Sequence, residues 1–275
     1  MRVAALQMVS SPIMAVNLDV ARQLIGQAAD AGAELAVLPE YFCLLGLKDT
    51  DKLAIAERAG HGPLQDFLSQ CARDFKLWVV GGTIPLATDT PGENSGKVYN
   101  STLVYNPAGQ CIARYDKMHL FRFDNGLESY DEARVLLPGA QPVAFDVPSR
   151  DGHSYRVGLS ICYDLRFPEL YRTLASSGAD LLLVPSAFTH TTGQAHWEVL
   201  LRARAIENLA YVLAAAQGGS HENQRRTWGH SMVVDPWGQI LAEQDQGPGV
   251  VLADIDKTRL TANRTQLPAL DHRRL

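Results

Sequence analysis

The chain has 275 residues, of which 46% are apolar and 20% charged, with a formal charge of −5 and a pI near 5.9. That length can bury a large core, and single α/β domains of this size are ordinary, so one domain over residues 1–275 is expected. The acidic balance, with no basic run and no aromatic-basic face, excludes nucleic acid and anionic membrane as expected partners. Cys43, Cys71, Cys111 and Cys162 are scattered without CxxC spacing, so neither a zinc site nor a disulfide framework is expected, and no metal or cofactor is implied. The opening MRVAALQMVSSP lacks a basic and a long apolar region, and no run reaches eighteen apolar residues, so the expected location is the cytoplasm.

In chain order, RVAALQ (2–7) reads as a first strand, and Asn17 as the cap of a helix through Val20, Leu24 and Ala28. AELAVLPEYF (33–42) is an apolar run ending on Pro39, which puts Glu40 just past a strand tip, where α/β sheets offer residues to ligands. A helix cap or a solvated loop would use the same glutamate. Pro63 opens a helix through Leu64, Phe67, Leu68 and Ala72, and LWVVGGT (77–83) reads as the next strand. STLVYNPAGQCI (101–112) is a hairpin segment turning at Asn106-Pro107-Ala108-Gly109. In ARYDKMHLF (113–121), Lys117 falls at the end of an extended segment, where the alternative is a solvated surface charge. Glu128 lies in the acidic stretch LESYDEA with Asp131 and Glu132, which equally suits a solvated loop.

RVGLSIC (156–162) is a short apolar run that ends on Cys162, and Phe167-Pro168-Glu169 then opens a helix. A cysteine between strand and helix has backbone N–H groups nearby that suit an oxyanion and favour a thiolate, although a plain core cysteine is the commoner use. Asp164 braces the turn or pairs with an arginine. Arg166, four residues past Cys162, can reach back to clasp a carboxylate with both edges of its fork, or pair with Asp164 or Glu169. Thr192 reads as a cap for the helix beginning near Gln194. That helix, AHWEVLLRARAIENLA (195–210), carries Glu198 and Arg202 four apart and one apolar face. His190, His221 and His230 lack metal-ligand spacing and read as pocket or hydrogen-bonding residues.

The two halves echo each other. RVAALQ parallels RVGLSI (156–161), GAELAVLPEYF (32–42) parallels GADLLLVPSAF (178–188), LWVVGGT parallels AYVLAAAQ (210–217), and STLVYNPAGQCI parallels SMVVDPWGQIL (231–241). Two such halves predict two sheets packed face to face with helices outside, a four-layer αββα sandwich with an internal pseudo-two-fold. Glu40 and Cys162 occupy different positions of the repeat, their counterparts being Ser186 and Met8, so the chemistry breaks the symmetry.

Glutamate, lysine and cysteine in that order, each at the edge of an apolar segment, resemble the triad of the nitrilase superfamily of carbon–nitrogen hydrolases. PEYF, YDKMHLF, LESYDEARVLLPG, SICYDLRFPEL, PSAFTHTTGQAHWEVLLRARAIEN and GHSMVVDPWG are similar to that family's motifs, in its order and nearly end to end. The stretch 214–241 is most similar to the deaminated glutathione amidase branch, and the ω-amidases share much of it. The resemblance implies catalysis by Glu40, Lys117 and Cys162, with Glu128 positioning water or Lys117, and with Thr192 lining the pocket near a substrate carboxylate. A mechanism follows: Glu40 as base, which would need a raised pKa that burial and Glu128 favour and Lys117 opposes, takes the Cys162 proton; Lys117 and the Tyr163 N–H hold the oxyanion; a thioester forms and water clears it. The expected activity is hydrolysis of the terminal amide of a small carboxylate-bearing substrate, deaminated glutathione first, with release of ammonia or amine. The alternatives are an ω-amidase on 2-oxoglutaramate, a nitrile or N-carbamoyl hydrolase, acyl transfer to an amine, and, most remotely, a non-catalytic interaction module. The resemblance further implies at least a homodimer, formed by the 195–210 helix and the strand end near Cys162, with the tail LPALDHRRL (267–275) lying across the partner.

Overall fold

The computed structural model describes residues 1–88 and 96–274. Its first half runs β1 (Arg2–Gln7), α1 (Met14–Asp30), β2 (Leu35–Val37), α2 (Pro63–Phe75), β3 (Trp78–Val80), β4 (Val98–Tyr105) and β5 (Cys111–Asp116). The second runs β6 (Ala144–Pro148), β7 (Ser154–Leu159), α3 (Pro168–Ser176), β8 (Leu181–Leu183), α4 (His190–Asn208), β9 (Tyr211–Ala214), β10 (Ser231–Val234) and β11 (Ile240–Gln244), followed by β12 (Gly249–Asp254) and α5 (Lys257–Gln266).

The echo in the sequence is an echo in topology. In one sheet β1, β2 and β3 are parallel neighbours, followed by antiparallel β4 and β5; in the other β7, β8 and β9 are parallel, followed by antiparallel β10 and β11. Each sheet also gains an antiparallel strand on its outer edge, β12 beside β1 and β6 beside β7. Even the hairpin turns match. Asn106 Oδ1 accepts the N–H groups of Ala108 and Gln110, both at 3.0 Å, and Asp235 Oδ1 accepts those of Trp237 and Gln239 at 2.9 and 2.8 Å. A short amide or carboxylate at the first turn position can close such a turn on its own backbone.

Strand periodicity sets the layers. Val3 and Ala5 of β1 belong to a central apolar cluster with Val157 and Leu182 of the opposite sheet, whereas Ala4 and Leu6 belong to a second cluster with Leu24 and Ala28 of α1 and Leu64 and Leu68 of α2. On the far side, Tyr171 and Leu174 of α3 and Trp197 and Leu201 of α4 join the central cluster. The order is therefore helices, sheet, sheet, helices. No helix of the described residues is long and apolar enough to cross a membrane.

Two local expectations are corrected. Asn17 does not cap α1, which starts at Met14; its buried amide instead binds the Ser11 backbone at both N–H and C=O and the Cys43 carbonyl, tying the helix to the loop after β1. The long helix starts five residues early, at His190, because the Thr189 hydroxyl accepts the Thr192 N–H. In the tail, Arg273 Nη1 donates to Ser176 Oγ of its own chain at 2.8 Å, and Leu275 lies outside the described residues.

Candidate active site

Both sheets present their parallel-strand ends at one place. Glu40 stands three residues beyond β2 and Lys117 directly after β5, both from the first sheet; Cys162 stands three residues beyond β7 in the second. All three side chains are buried, Lys117 completely.

Glu40 and Cys162 are held in unusual backbone settings. Tyr41, next to Glu40, has φ +57°, and its N–H donates to Thr83 Oγ1 at 2.9 Å. The preceding Pro39 carbonyl packs on Gly82, where an added Cβ would lie 2.1 Å from that oxygen, so only glycine fits. Cys162 itself has φ +48° and opens a 3-10 turn, Cys162–Arg166; left-handed backbone at a non-glycine residue is held only where the surroundings impose it. Asp164 supplies much of that hold. Its carboxylate accepts the Ile161 N–H at 2.8 Å, the Tyr115 hydroxyl at 2.7 Å and the His119 N–H at 3.0 Å, so it braces the turn and also pins it to β5 of the other sheet.

Lys117 is the hub of the polar network. Its Nζ lies 2.9 Å from Glu40 Oε1 and 2.8 Å from Glu132 Oε2. Glu40 Oε1 also accepts from Asn100 Nδ2 at 2.9 Å, and its Oε2 accepts the Ala187 N–H at 2.9 Å. Glu132 accepts in addition from Tyr41 Oη at 2.8 Å and from the Phe121 N–H at 2.7 Å. Burial would lower the ammonium pKa, but the charges of Glu132 and Glu40 outweigh it and hold Lys117 well above its ordinary value. Burial would likewise raise the Glu132 carboxyl, yet Lys117 and Lys52 keep it below the usual carboxylate range. Lys52 sits 4.4 Å over the Tyr41 ring, and burial lowers its pKa against the pull of Glu132, Asp49 and Glu40.

The Cys162 thiol is pushed well above its ordinary value, by burial first and then by the charge of Glu40, only partly offset by Lys117, and Glu40 and Cys162 line one pocket. Burial and Glu40 thus outweigh the pull of the helix start toward a thiolate. A neutral thiol beside a carboxylate is a nucleophile that must be deprotonated as it attacks.

Of the residues singled out in the sequence, Glu40, Lys117 and Cys162 come together. Glu128 does not join them. It stands half-buried on a hairpin, accepting from Thr191 Oγ1 at 3.0 Å and Tyr130 Oη at 3.3 Å, while Glu132, four residues on, takes the place beside Lys117. Composition could not separate two glutamates in one acidic stretch. What separates them is that Asp131 caps the 3-10 turn Glu132–Arg134, fixing Glu132 at its start and facing inward. Tyr163 and Thr192 line a small lobe next to Cys162. Arg166 lines no cavity around Cys162: its guanidinium lies 5.8 Å over the Tyr163 ring and 5.4 Å over Phe188, and Nη1 contacts His196 Nδ1 at 3.2 Å. The larger lobe carries cations that the sequence reading passed over, Lys52, Arg225 and Arg226.

A family model described as carbon–nitrogen hydrolase matches residues 2–265. The chain belongs to the carbon–nitrogen hydrolase family. This carbon–nitrogen hydrolase is 45% identical over 272 residues to a deaminated glutathione amidase of Synechocystis sp., with 98% of this chain and 97% of that protein covered. It is 38% identical over 274 residues to the omega-amidase NIT2-B of Xenopus laevis, covering 99% and 95%. Among solved structures, the NitFhit protein of C. elegans matches with a TM-score of 0.87 and 36% identity over 99% of this chain; the chain spans 65% of that protein, less than two thirds of its length. The family and these relatives make the chain a nitrilase-superfamily hydrolase that acts on amides.

Proposed function

We propose that this hydrolase cleaves the γ-amide of deaminated glutathione, releasing a 2-oxo dicarboxylate and a dipeptide amine. The observation that carries the chemistry is the buried cluster in which Glu40 pairs with the Lys117 ammonium and shares one pocket wall with the Cys162 thiol. The 45% identical relative supports the substrate.

Glu40 takes the thiol proton as Cys162 Sγ attacks the amide carbon. The developing oxyanion is met by Lys117 Nζ and the Tyr163 N–H, preorganised donors of a kind worth about 3 to 4 kcal/mol each. Glu40 then returns the proton to the departing amine, leaving a thioester on Cys162. Water deprotonated by Glu40 attacks that thioester, and the thiol is restored. Glu132, rather than Glu128, holds Lys117 from its other side and keeps its ammonium aimed at the reacting carbonyl. Thr192 and Tyr163 line the space for the acyl chain. Arg166, behind Tyr163 and Phe188, supports that wall rather than clasping the substrate.

The exposed apolar residues Val199 and Ile206 on α4 and Trp237 beside them suit a homodimer through that helix face. The acidic balance, with no helix long and apolar enough to cross a membrane among the described residues, suits the cytoplasm. The likeness to the Xenopus relative favours 2-oxoglutaramate as a second substrate.

The test is turnover of the purified protein on both compounds, followed through 2-oxoglutarate, with cysteinylglycine or ammonia as the second product. A higher kcat/KM on deaminated glutathione supports the proposal, and a higher value on 2-oxoglutaramate makes the chain an ω-amidase. Silence on both overturns both readings and turns attention to nitriles and carbamoyl amines.

A further inference from the structure

Cys162 stands where two lobes of the pocket meet. The smaller, about 20 Å³, is walled by Phe121, Tyr163, Phe188 and Thr192; the larger, about 60 Å³, opens toward Asp49, Lys52 and Arg225. An amide in line for attack must send its acyl chain into one lobe and its amine into the other. If the substrate is deaminated glutathione, as proposed above, the amine is the bulkier half, and it ends on a carboxylate. The acyl half ends on a carboxylate too, so size makes the assignment: the bulkier half to the larger lobe and the shorter acyl half to the smaller.

We propose that Arg225 binds the terminal carboxylate of the departing peptide amine and so selects peptide amides over primary amides. The guanidinium is prepared for this. It lies 5.2 Å over the Tyr130 ring, and Nη2 is held by Asp49 Oδ1 at 2.6 Å, which engages one part of a planar fork with five N–H donors. Its loop is anchored on both sides. Asn223 Nδ2 donates to the Gly46 carbonyl at 2.8 Å, and the His221 ring bridges the Ser10 carbonyl and the Thr227 hydroxyl at 2.9 and 2.8 Å.

Two carboxylates on this wall are committed elsewhere. Glu132 is held by Lys117 with Lys52 nearby, and Asp131 accepts the Ala133 N–H and pairs with Arg134. Arg225 is 35% exposed, which places it at the rim, where the end of a peptide would arrive.

The experiment compares kcat/KM on deaminated glutathione and on the same compound with its terminal carboxylate converted to an amide, for the wild type, Arg225→Met and Arg225→Lys. The readout is a ratio of two substrates on one protein, so partial loss of active enzyme cancels. The wild type should prefer the acid by about tenfold, mostly through KM, the scale of one charge-assisted pair at a partly exposed site. Arg225→Met should bring the ratio near one, with Arg225→Lys in between. A wild type with no preference, or an Arg225→Met variant that keeps the wild-type ratio, overturns the assignment while leaving the substrate reading standing. A wild type inert on both compounds but active on 2-oxoglutaramate overturns the substrate reading, and this inference with it.

Discussion

Glu40 Oε2 accepts the backbone N–H of Ala187 at 2.9 Å, so a side chain from the tip of one sheet is fixed by the backbone at the tip of the other. Its second oxygen receives Lys117 and Asn100. Three donors leave the carboxylate little freedom to turn, which is what a base serving one thiol requires.

Replacement of Glu40 by Gln separates basicity from position. Turnover should fall by about 10²-fold or more, the usual contribution of a positioned base. The thiol should move the other way. The Glu40 charge raises the Cys162 pKa and Lys117 lowers it, so in the variant the thiolate absorbance near 240 nm should appear at lower pH than in the wild type. An unchanged or higher thiol titration would show that Glu40 does not face Cys162.

Cys162→Ala should abolish turnover while leaving the far-ultraviolet circular dichroism and the thermal midpoint close to the wild type. The residue contributes one small side chain to a core built from many larger ones. Residual turnover above the background reaction would remove Cys162 from the nucleophile's role.

Glu132 and Glu128 should differ sharply. Glu132→Gln withdraws one of the two carboxylates on a fully buried ammonium, and breaking a buried pair costs about 3 kcal/mol or more. Activity should fall by orders of magnitude, with a lower denaturation midpoint. Glu128→Gln loses only charge on bonds to Thr191 and Tyr130 at a half-buried hairpin, and should change kcat less than tenfold. Equal losses in the two variants would contradict the assignment of Glu132 as the residue that holds Lys117.

His221 makes stability depend on pH. Burial lowers its pKa, and its ring accepts or donates at both nitrogens to Ser10 and Thr227. The unfolded chain, with an ordinary histidine pKa near 6.5, takes up the proton first as the solution is acidified. Stability contributed by the neutral ring is thus fully present above about pH 6.5 and is lost as the pH falls from there toward the folded value. The thermal midpoint should drop more steeply between pH 7 and pH 5.5 in the wild type than in His221→Gln, and identical slopes would remove the effect from this residue.

Gly82 should be intolerant of any side chain. With φ +49° and the Pro39 carbonyl oxygen 2.1 Å from a built Cβ, alanine must displace the backbone that carries Glu40. Gly82→Ala should cost more than about 1 kcal/mol of stability and reduce kcat as well. A loss of stability with unchanged kcat would uncouple this turn from the base.

Much of the fold was legible because its signals are local. Short apolar runs, the turns at Asn106 and Asp235 and the proline starts of α2 and α3 follow from side-chain periodicity and backbone geometry, which neighbouring residues set among themselves. The halves' echo then implied the two matching sheets, and each of Glu40, Lys117 and Cys162 could be placed at an element's edge. Glu132 over Glu128, the withdrawal of Arg166 behind Tyr163 and Phe188, and the cationic rim of Arg225 and Lys52 were decided only by tertiary structure. These depend on which of several equally charged side chains a turn aims inward, and on partners 15 to 176 residues away in the chain, as Lys117 is from Glu132 and Asp49 from Arg225. The resting state of Cys162 belongs to the same class: the helix start favours a thiolate locally, but burial and the charge of Glu40, brought from the other sheet, reverse it.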